Sequence, residues 1–207
     1  MEAVRIASGS ETLEGRLHGA LPAPRAAILV HGQSWDADRW DPAAAAIVAR
    51  GVPALALNLR GHGGSTGAVE PYAPGKAWSP VVDLRAARAF LRQRGAAEIA
   101  LVGASLGGHA VLGASLDGDC ECVVSISAPV TPVPDELSRR VSGRALYLCA
   151  SDDAAGATPN VLASFVALRE PKTLVLFGGR EHSIAMLRAP YGDECLEAIV
   201  DFVTRGL

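Results

Sequence analysis

The feature that most restricts how this chain can fold is a series of six apolar runs. They read AAILVHG (26–32), VPALALNL (52–59), EIALVGAS (98–105), CVVSIS (122–127), RALYLCAS (144–151) and KTLVLFGG (172–179). Within each, hydrophobicity is continuous rather than alternating, which marks strands covered on both faces, as in a parallel sheet. Two weaker runs, at 4–7 and 13–17, fit an antiparallel hairpin at one edge. A sheet buried on two faces needs a large apolar supply. The 207 residues, 49% of them hydrophobic, provide it in one domain spanning 1–207.

Helical segments fill the intervals. DPAAAAIVARG (41–51) presents Asp41 as N-cap, Pro42 at the first helical position and Gly51 as the stop. SPVVDLRAARAFLRQRG (79–95) repeats the design with Ser79, Pro80 and Gly95, and sets Val81, Leu84, Ala87 and Leu91 on one face. Further helices are expected in GGHAVLGASL after Ser105, in NVLASFVALR (160–169) and in the final DECLEAIVDFVTRGL. The alternation implies an α/β fold, a mostly parallel central sheet with helices on both faces. The Gly- and Pro-rich stretch 61–78 and the stretch 128–143 read as loops. In such a fold ligands sit beyond the carboxyl ends of the strands, so chemistry is expected just after them.

Several function classes drop out. Nineteen Lys and Arg against 22 Asp and Glu give a net charge of -3 with no basic cluster, which excludes a nucleic-acid surface. The uncharged stretch 99–116 approaches the length of a membrane span. Its four glycines, two serines and histidine break it into a strand, a turn and a helix instead. With no secretory signal at the start, a soluble cytoplasmic protein is expected, its Cys120, Cys122, Cys149 and Cys195 remaining thiols. Cys120-Glu121-Cys122 lacks a second Cys/His pair at ligand spacing, so no metal is implied. GHGGSTG (61–67) has neither the Walker lysine nor, at Thr66, the last glycine of a dinucleotide motif. It reads as a pocket wall.

The chemistry centres on IALVGASLGGHAVL (99–112). Gly103-Ala104-Ser105-Leu106-Gly107 is a G-x-S-x-G sequence between a strand and a helix, the setting of a nucleophile on a tight, strained turn. Of the five histidines, His182 alone lies in a post-strand loop downstream of Ser105. His109, one turn along the helix that follows Ser105, is expected to point away from it. Asp153 is the chosen orienting acid, with Asp152 the near alternative and Asp135 a more distant one. The order Ser, Asp, His then holds. The amides of Leu106 and Gln33, the latter in HGQSW after a strand, are candidate oxyanion donors, with His31 bracing that loop. Trp35, Trp40, Tyr72 and Trp78 are candidates either for pocket lining or for packing.

With LVHGQSW, LNLRGHGGSTG, GASLGG, CASDD and GREHS in that order, the chain resembles the α/β-hydrolase superfamily over essentially its whole length. The resemblance implies a compact serine hydrolase of the small carboxylesterase, dienelactone-hydrolase-like or acyl thioesterase type. It implies Ser105, Asp153 and His182 as catalytic residues, and the Gln33 and Leu106 amides as oxyanion hole. Two departures stand out: Asn58, where many relatives carry a loop-bracing Asp, and ASDD in place of Gly-x-x-Asp. The stretch 128–143 is too short for a cap domain. The expected activity is hydrolysis of a small or medium ester or thioester through an acyl-enzyme, with no cofactor, metal, nucleic-acid or membrane partner. Oligomeric state is left open. The alternatives are a peptidase or acyltransferase using the same residues, or a noncatalytic ligand-binding protein of the same fold.

Overall fold

The computed structural model describes residues 1–72 and 77–205. Eight strands form one sheet: β1 (Glu2–Ser8), β2 (Glu11–His18), β3 (Ala23–Val30), β4 (Ala54–Leu57), β5 (Ala96–Ala104), β6 (Cys122–Ile126), β7 (Arg144–Ala150) and β8 (Lys172–Phe177). Their order is β1-β2-β4-β3-β5-β6-β7-β8. β2 runs antiparallel to β1 and β4, and all other neighbours are parallel. The six continuous runs are therefore the parallel strands, and the two weaker ones are the edge hairpin. The chain leaves β3 toward β4 on one side and later resumes at β5 on the other. That change of direction opens a crevice at the carboxyl ends of β3 and β5.

The helices are α1 (Asp41–Ala49), α2 (Ser79–Gln93), α3 (Leu106–Ser115), α4 (Asp135–Ser138), α5 (Thr158–Ala167) and α6 (Gly192–Thr204). Successive strand residues point to opposite faces, so Ile28 and Val30 join a core with Leu84, Leu91 and Val111 of α2 and α3. Leu29 joins the other core, with Trp40, Ile47 of α1 and Ile199 of α6. Val81, Leu84, Ala87 and Leu91 are all buried along α2, as their spacing requires.

Two local expectations are corrected. Asp41 and Ser79 do not cap their helices: each is the first helical residue, after Trp40 and Trp78. The Asp41 carboxylate is instead drawn to Arg16 at 2.7 Å and His18 at 3.1 Å, and the Ser79 hydroxyl donates to Glu70. Charged partners outcompeted the backbone N–H groups that a cap would satisfy. β8, read as buried on both faces, is an edge strand with Leu176 exposed. Only 17 residues, 127–143, separate β6 from β7, and they carry the single turn of α4 rather than a cap. All four cysteines are buried free thiols.

Candidate active site

Gln33, Ser105, Leu106, Asp153 and His182 each lie just beyond the carboxyl end of a strand. Ser105 follows β5 at φ 53°, a left-handed conformation unusual for a residue with a side chain. The turn is tight because Gly103 and Gly107 allow it. A Cβ on Gly103 would come within 2.2 Å of the Gly107 carbonyl oxygen, and one on Gly107 within 2.4 Å of that of Val30. The strain is held by hydrogen bonds: Ser105 N–H donates to the Ile126 carbonyl at 2.9 Å, and Gly107 N–H to that of His31 at 3.1 Å.

His182, after β8, reaches Ser105 from the far side of β6 and β7. Its Nδ1 lies 2.9 Å from each oxygen of Asp153, and its Nε2 lies 2.8 Å from Ser105 Oγ. A carboxylate accepts only, so the neutral ring carries its proton on Nδ1 and receives the Ser105 hydroxyl at Nε2. The Asp153 carboxylate is fully buried, while the His182 side chain is 24% exposed. Asp153 also accepts the Ala155 N–H at 2.9 Å. Burial alone would raise its pKa. Hydrogen bonds from His182 and Ser127 outweigh that and hold the carboxyl below its ordinary value. The two alternatives lie elsewhere: Asp152 faces solvent in a pair with Arg180 at 3.2 Å, and Asp135 pairs with Arg139 at 3.1 Å on α4.

On the opposite side, Gln33 and Leu106 line the same cleft as Ser105. Leu106 opens α3, so its N–H has no acceptor within the helix and sits at the positive end of the dipole. The Gln33 N–H is aimed by His31. The carbonyl of the same peptide, on Gly32, accepts His31 Nδ1–H at 2.8 Å and Trp35 N–H at 3.1 Å. A planar trans peptide points its N–H the other way. His31 Nε2 accepts the Leu59 N–H at 3.2 Å. Both ring nitrogens are thus engaged, and burial pushes the pKa down to about 4.

The 61–67 loop is a cleft wall tied to the protein. Its Gly64 N–H donates to Glu14, which also accepts from Asn58 at 2.8 Å, while Asn58 Oδ1 accepts the Ala37 N–H. Of the four flagged aromatics, Tyr72 and Trp78 line the cleft. Trp40 is core, and Trp35 lies under Gly32 with the Arg39 guanidinium 4.8 Å above its ring.

Sequence reasoning passed over two groups. His109 does not simply point away. It lines the cleft beside Ser105, with its ring 4.5 Å from that of Tyr72. Ser127, at φ 49° after β6, accepts the N–H of Ser183, itself at φ 62°, at 2.9 Å. Ser105, Ser127 and Ser183 are the non-glycine residues with positive φ among those described, and all three meet here. The signal available was position: Ser127 ends a strand on the same rim.

Among the described residues no group of three or more His, Cys, Asp or Glu is placed to hold a metal ion, and no helix is long and apolar enough to cross a membrane. The sequence matches the model of the alpha/beta hydrolase family over residues 27–203. The chain belongs to the alpha/beta hydrolase family. Curated protein sequences give no match. Among solved structures, it resembles a predicted CIB-like hydrolase from Thermoplasma acidophilum (19% identity, TM-score 0.78, covering 98% of this chain and 97% of that one). It also resembles the esterase Pf2001 of Pyrococcus furiosus (15%, 0.79, 99% and 90%) and the enol-lactonase of Burkholderia xenovorans (15%, 0.78, 98% and 100%). At these identities the likeness is one of fold, and the hydrolase core accounts for nearly the whole length of each.

Proposed function

We propose that this alpha/beta hydrolase cleaves small, uncharged carboxylic esters or thioesters through an acyl-enzyme on Ser105. The observation that carries the reading is the unbroken line of hydrogen bonds from Ser105 Oγ through His182 to Asp153. Ser105 Oγ attacks the substrate carbonyl carbon as its proton passes to His182 Nε2. The imidazolium so formed is balanced by Asp153, an anion already ionised in its buried seat. The negative charge that develops on the carbonyl oxygen is met by the Gln33 and Leu106 N–H groups, which donate to no other protein group among the described residues. His182 then returns the proton to the departing alkoxide or thiolate. A water, deprotonated by the same ring, attacks the acyl carbon and releases the acid and Ser105.

The charge of the cleft supports neutral substrates. Glu70 lines it, with the hydroxyl and N–H of Ser79 holding its carboxyl below the ordinary range, and no Lys or Arg lines it among the described residues. A substrate carboxylate there would meet a like charge, with no counterion lining the cleft among the described residues. The test is labelling with a fluorophosphonate, alongside a panel of p-nitrophenyl esters, acyl thioesters and anilides. Labelling confined to Ser105, lost in Ser105→Ala together with ester turnover, is the expected result. Wild-type protein that neither labels nor turns over any member of the panel refutes the reading.

A further inference from the structure

Three aromatic rings stand together at one end of the cleft. Tyr72 and Trp78 meet edge to face at 4.9 Å between ring centres, and Tyr72 lies against His109 at 4.5 Å. The cleft on the Ser105 side holds about 700 Å³. Behind the rings are two further spaces. One is a small hollow of about 30 Å³ among Leu112, Leu116, Leu137 and Val141. The other is a surface groove of about 320 Å³ running past Val81, Gly113 and Leu116. Tyr72 and His109 line all three, so their tilted ring pair is the partition between the cleft and the space beyond.

The partition continues an apolar track. His109, Leu112, Gly113 and Leu116 follow one another at helical spacing along one face of α3, leading away from Ser105. Gly113 lets α2 approach α3 closely, since a Cβ there would come within 2.7 Å of Val81 Cγ2. Among the described residues, a linear chain reaches that space past Tyr72.

Which half of an ester faces this wall follows from the direction of proton transfer. His182 must protonate the leaving group, so that group departs on the side of β8. Among the described residues, those lining the cleft come from the connections after β3, β4, β5 and β6 and from α3, and none from those after β7 or β8. The cleft therefore receives the acyl half. His109 stands four residues along α3 from Ser105, an axial separation of about 6 Å at 1.5 Å per residue, which is room for a six-membered ring or roughly four linear carbons.

We propose that the cleft is an acyl subsite closed by Tyr72 and His109, and that it selects short or ring-bearing acids over long linear ones. Aromatic acids match it best, because their faces pack on the ring wall. This rests on Ser105 being the nucleophile.

The experiment compares kcat/KM for p-nitrophenyl acetate, butyrate, benzoate, octanoate and decanoate in the wild type and in Tyr72→Phe, Tyr72→Leu and Tyr72→Ala. The wild type is expected to favour benzoate and butyrate over octanoate, and Tyr72→Phe, which keeps the ring, to retain that ranking. Tyr72→Ala is expected to raise the octanoate-to-benzoate ratio at least about tenfold, as two or more methylenes gain burial along α3. Tyr72→Leu should fall between, and it carries the test should the alanine variant not fold. A parallel series of ethyl, butyl and octyl acetates should keep its chain-length ranking under all three changes. A ratio that stays within twofold, a wild type that already prefers octanoate, or a shift in the acetate series instead, each overturns the assignment. A wild type inert to every ester and to fluorophosphonate fails at the nucleophile and takes this inference with it.

Discussion

The two sides of the cleft are built on different principles. The rim that carries Ser105, His182 and Asp153 is fixed by directional bonds: two contacts from Nδ1 to the carboxylate, one from Nε2 to the hydroxyl, and left-handed backbone at three serines. The wall of Tyr72, Trp78 and His109 is held mainly by ring packing. Its main-chain ties are few: Val130 N–H to His109 Nε2 at 3.0 Å, and the Trp78 indole N–H to the Glu70 carbonyl at 3.0 Å. Hydrogen bonds specify position and angle, whereas ring contacts specify little beyond volume. Chemistry should therefore respond sharply to single atoms on the rim, and specificity should respond gradually to bulk on the wall.

The sharpest break in that contrast is Ser105→Ala, expected to lower kcat by about 10⁶-fold with little change in KM, as for other nucleophiles of this kind. Asp153→Asn comes next. It is nearly isosteric, but its amide can satisfy the ring in the wrong tautomer, and a loss of about 10⁴-fold in kcat is expected. Asp152→Asn, one residue away and turned to Arg180, should stay within twofold of wild type. Steady-state hydrolysis of p-nitrophenyl butyrate measures all three. Equal losses for the two aspartates would remove Asp153 from its assigned role.

The same contrast explains what could be read in the sequence. Continuous apolar runs exposed the parallel strands, because a residue with both neighbours buried leaves an unmistakable trace. The candidate rim could be read because each of its residues was expected to follow a strand, and only one histidine did so downstream of Ser105. The choice between Asp152 and Asp153 was not decided by the letters; it depends on which carboxylate the turn after β7 buries. Ser127 was hidden inside CVVSIS, where its apolar neighbours made it look like strand. His109 was judged by its helical position alone, which says nothing of the 58–72 connection that folds back to meet it. The caps failed for a related reason. Asp41 and Ser79 have side-chain partners far away in sequence, and no local pattern reveals them.

A middle-sized effect lies in stability rather than rate. Burial lowers both His31 and His109 to about 4, against an ordinary 6.5. Between those values the unfolded chain binds a proton at each ring and the folded chain does not. Stability is thus fully present above pH 6.5, falls as pH drops toward 4, and changes no further below it on their account. Each ring contributes about 3 kcal/mol to that fall. Asp153 adds a loss in the same direction, but at lower pH, since its depressed carboxyl gives stability that disappears only as it is protonated. Thermal melts from pH 7.5 to 4 should show Tm declining across the histidine window. His109→Gln, whose amide oxygen can still accept the Val130 N–H, should flatten the decline by about half. A Tm independent of pH over this range would mean the rings are not held neutral.

The smallest effect tests whether the rim depends on single atoms even where no reacting group is touched. Ser127 Oγ accepts the N–H of Ser183, the residue after His182, so it positions the turn that carries the His182 ring. Ser127→Ala and Ser127→Gly both remove the hydroxyl, and each should lower kcat by about tenfold while leaving KM in place, the loss of one neutral hydrogen bond of about 1 kcal/mol. Their stabilities should part company. At φ 49° glycine fits without strain and alanine does not, so the glycine variant should be the more stable by about 1 kcal/mol in urea. Activity that follows stability, with glycine near wild type and alanine impaired, would mean the backbone matters here and the hydroxyl does not. Activity lost equally in both, across a difference in stability, places the effect on the oxygen atom.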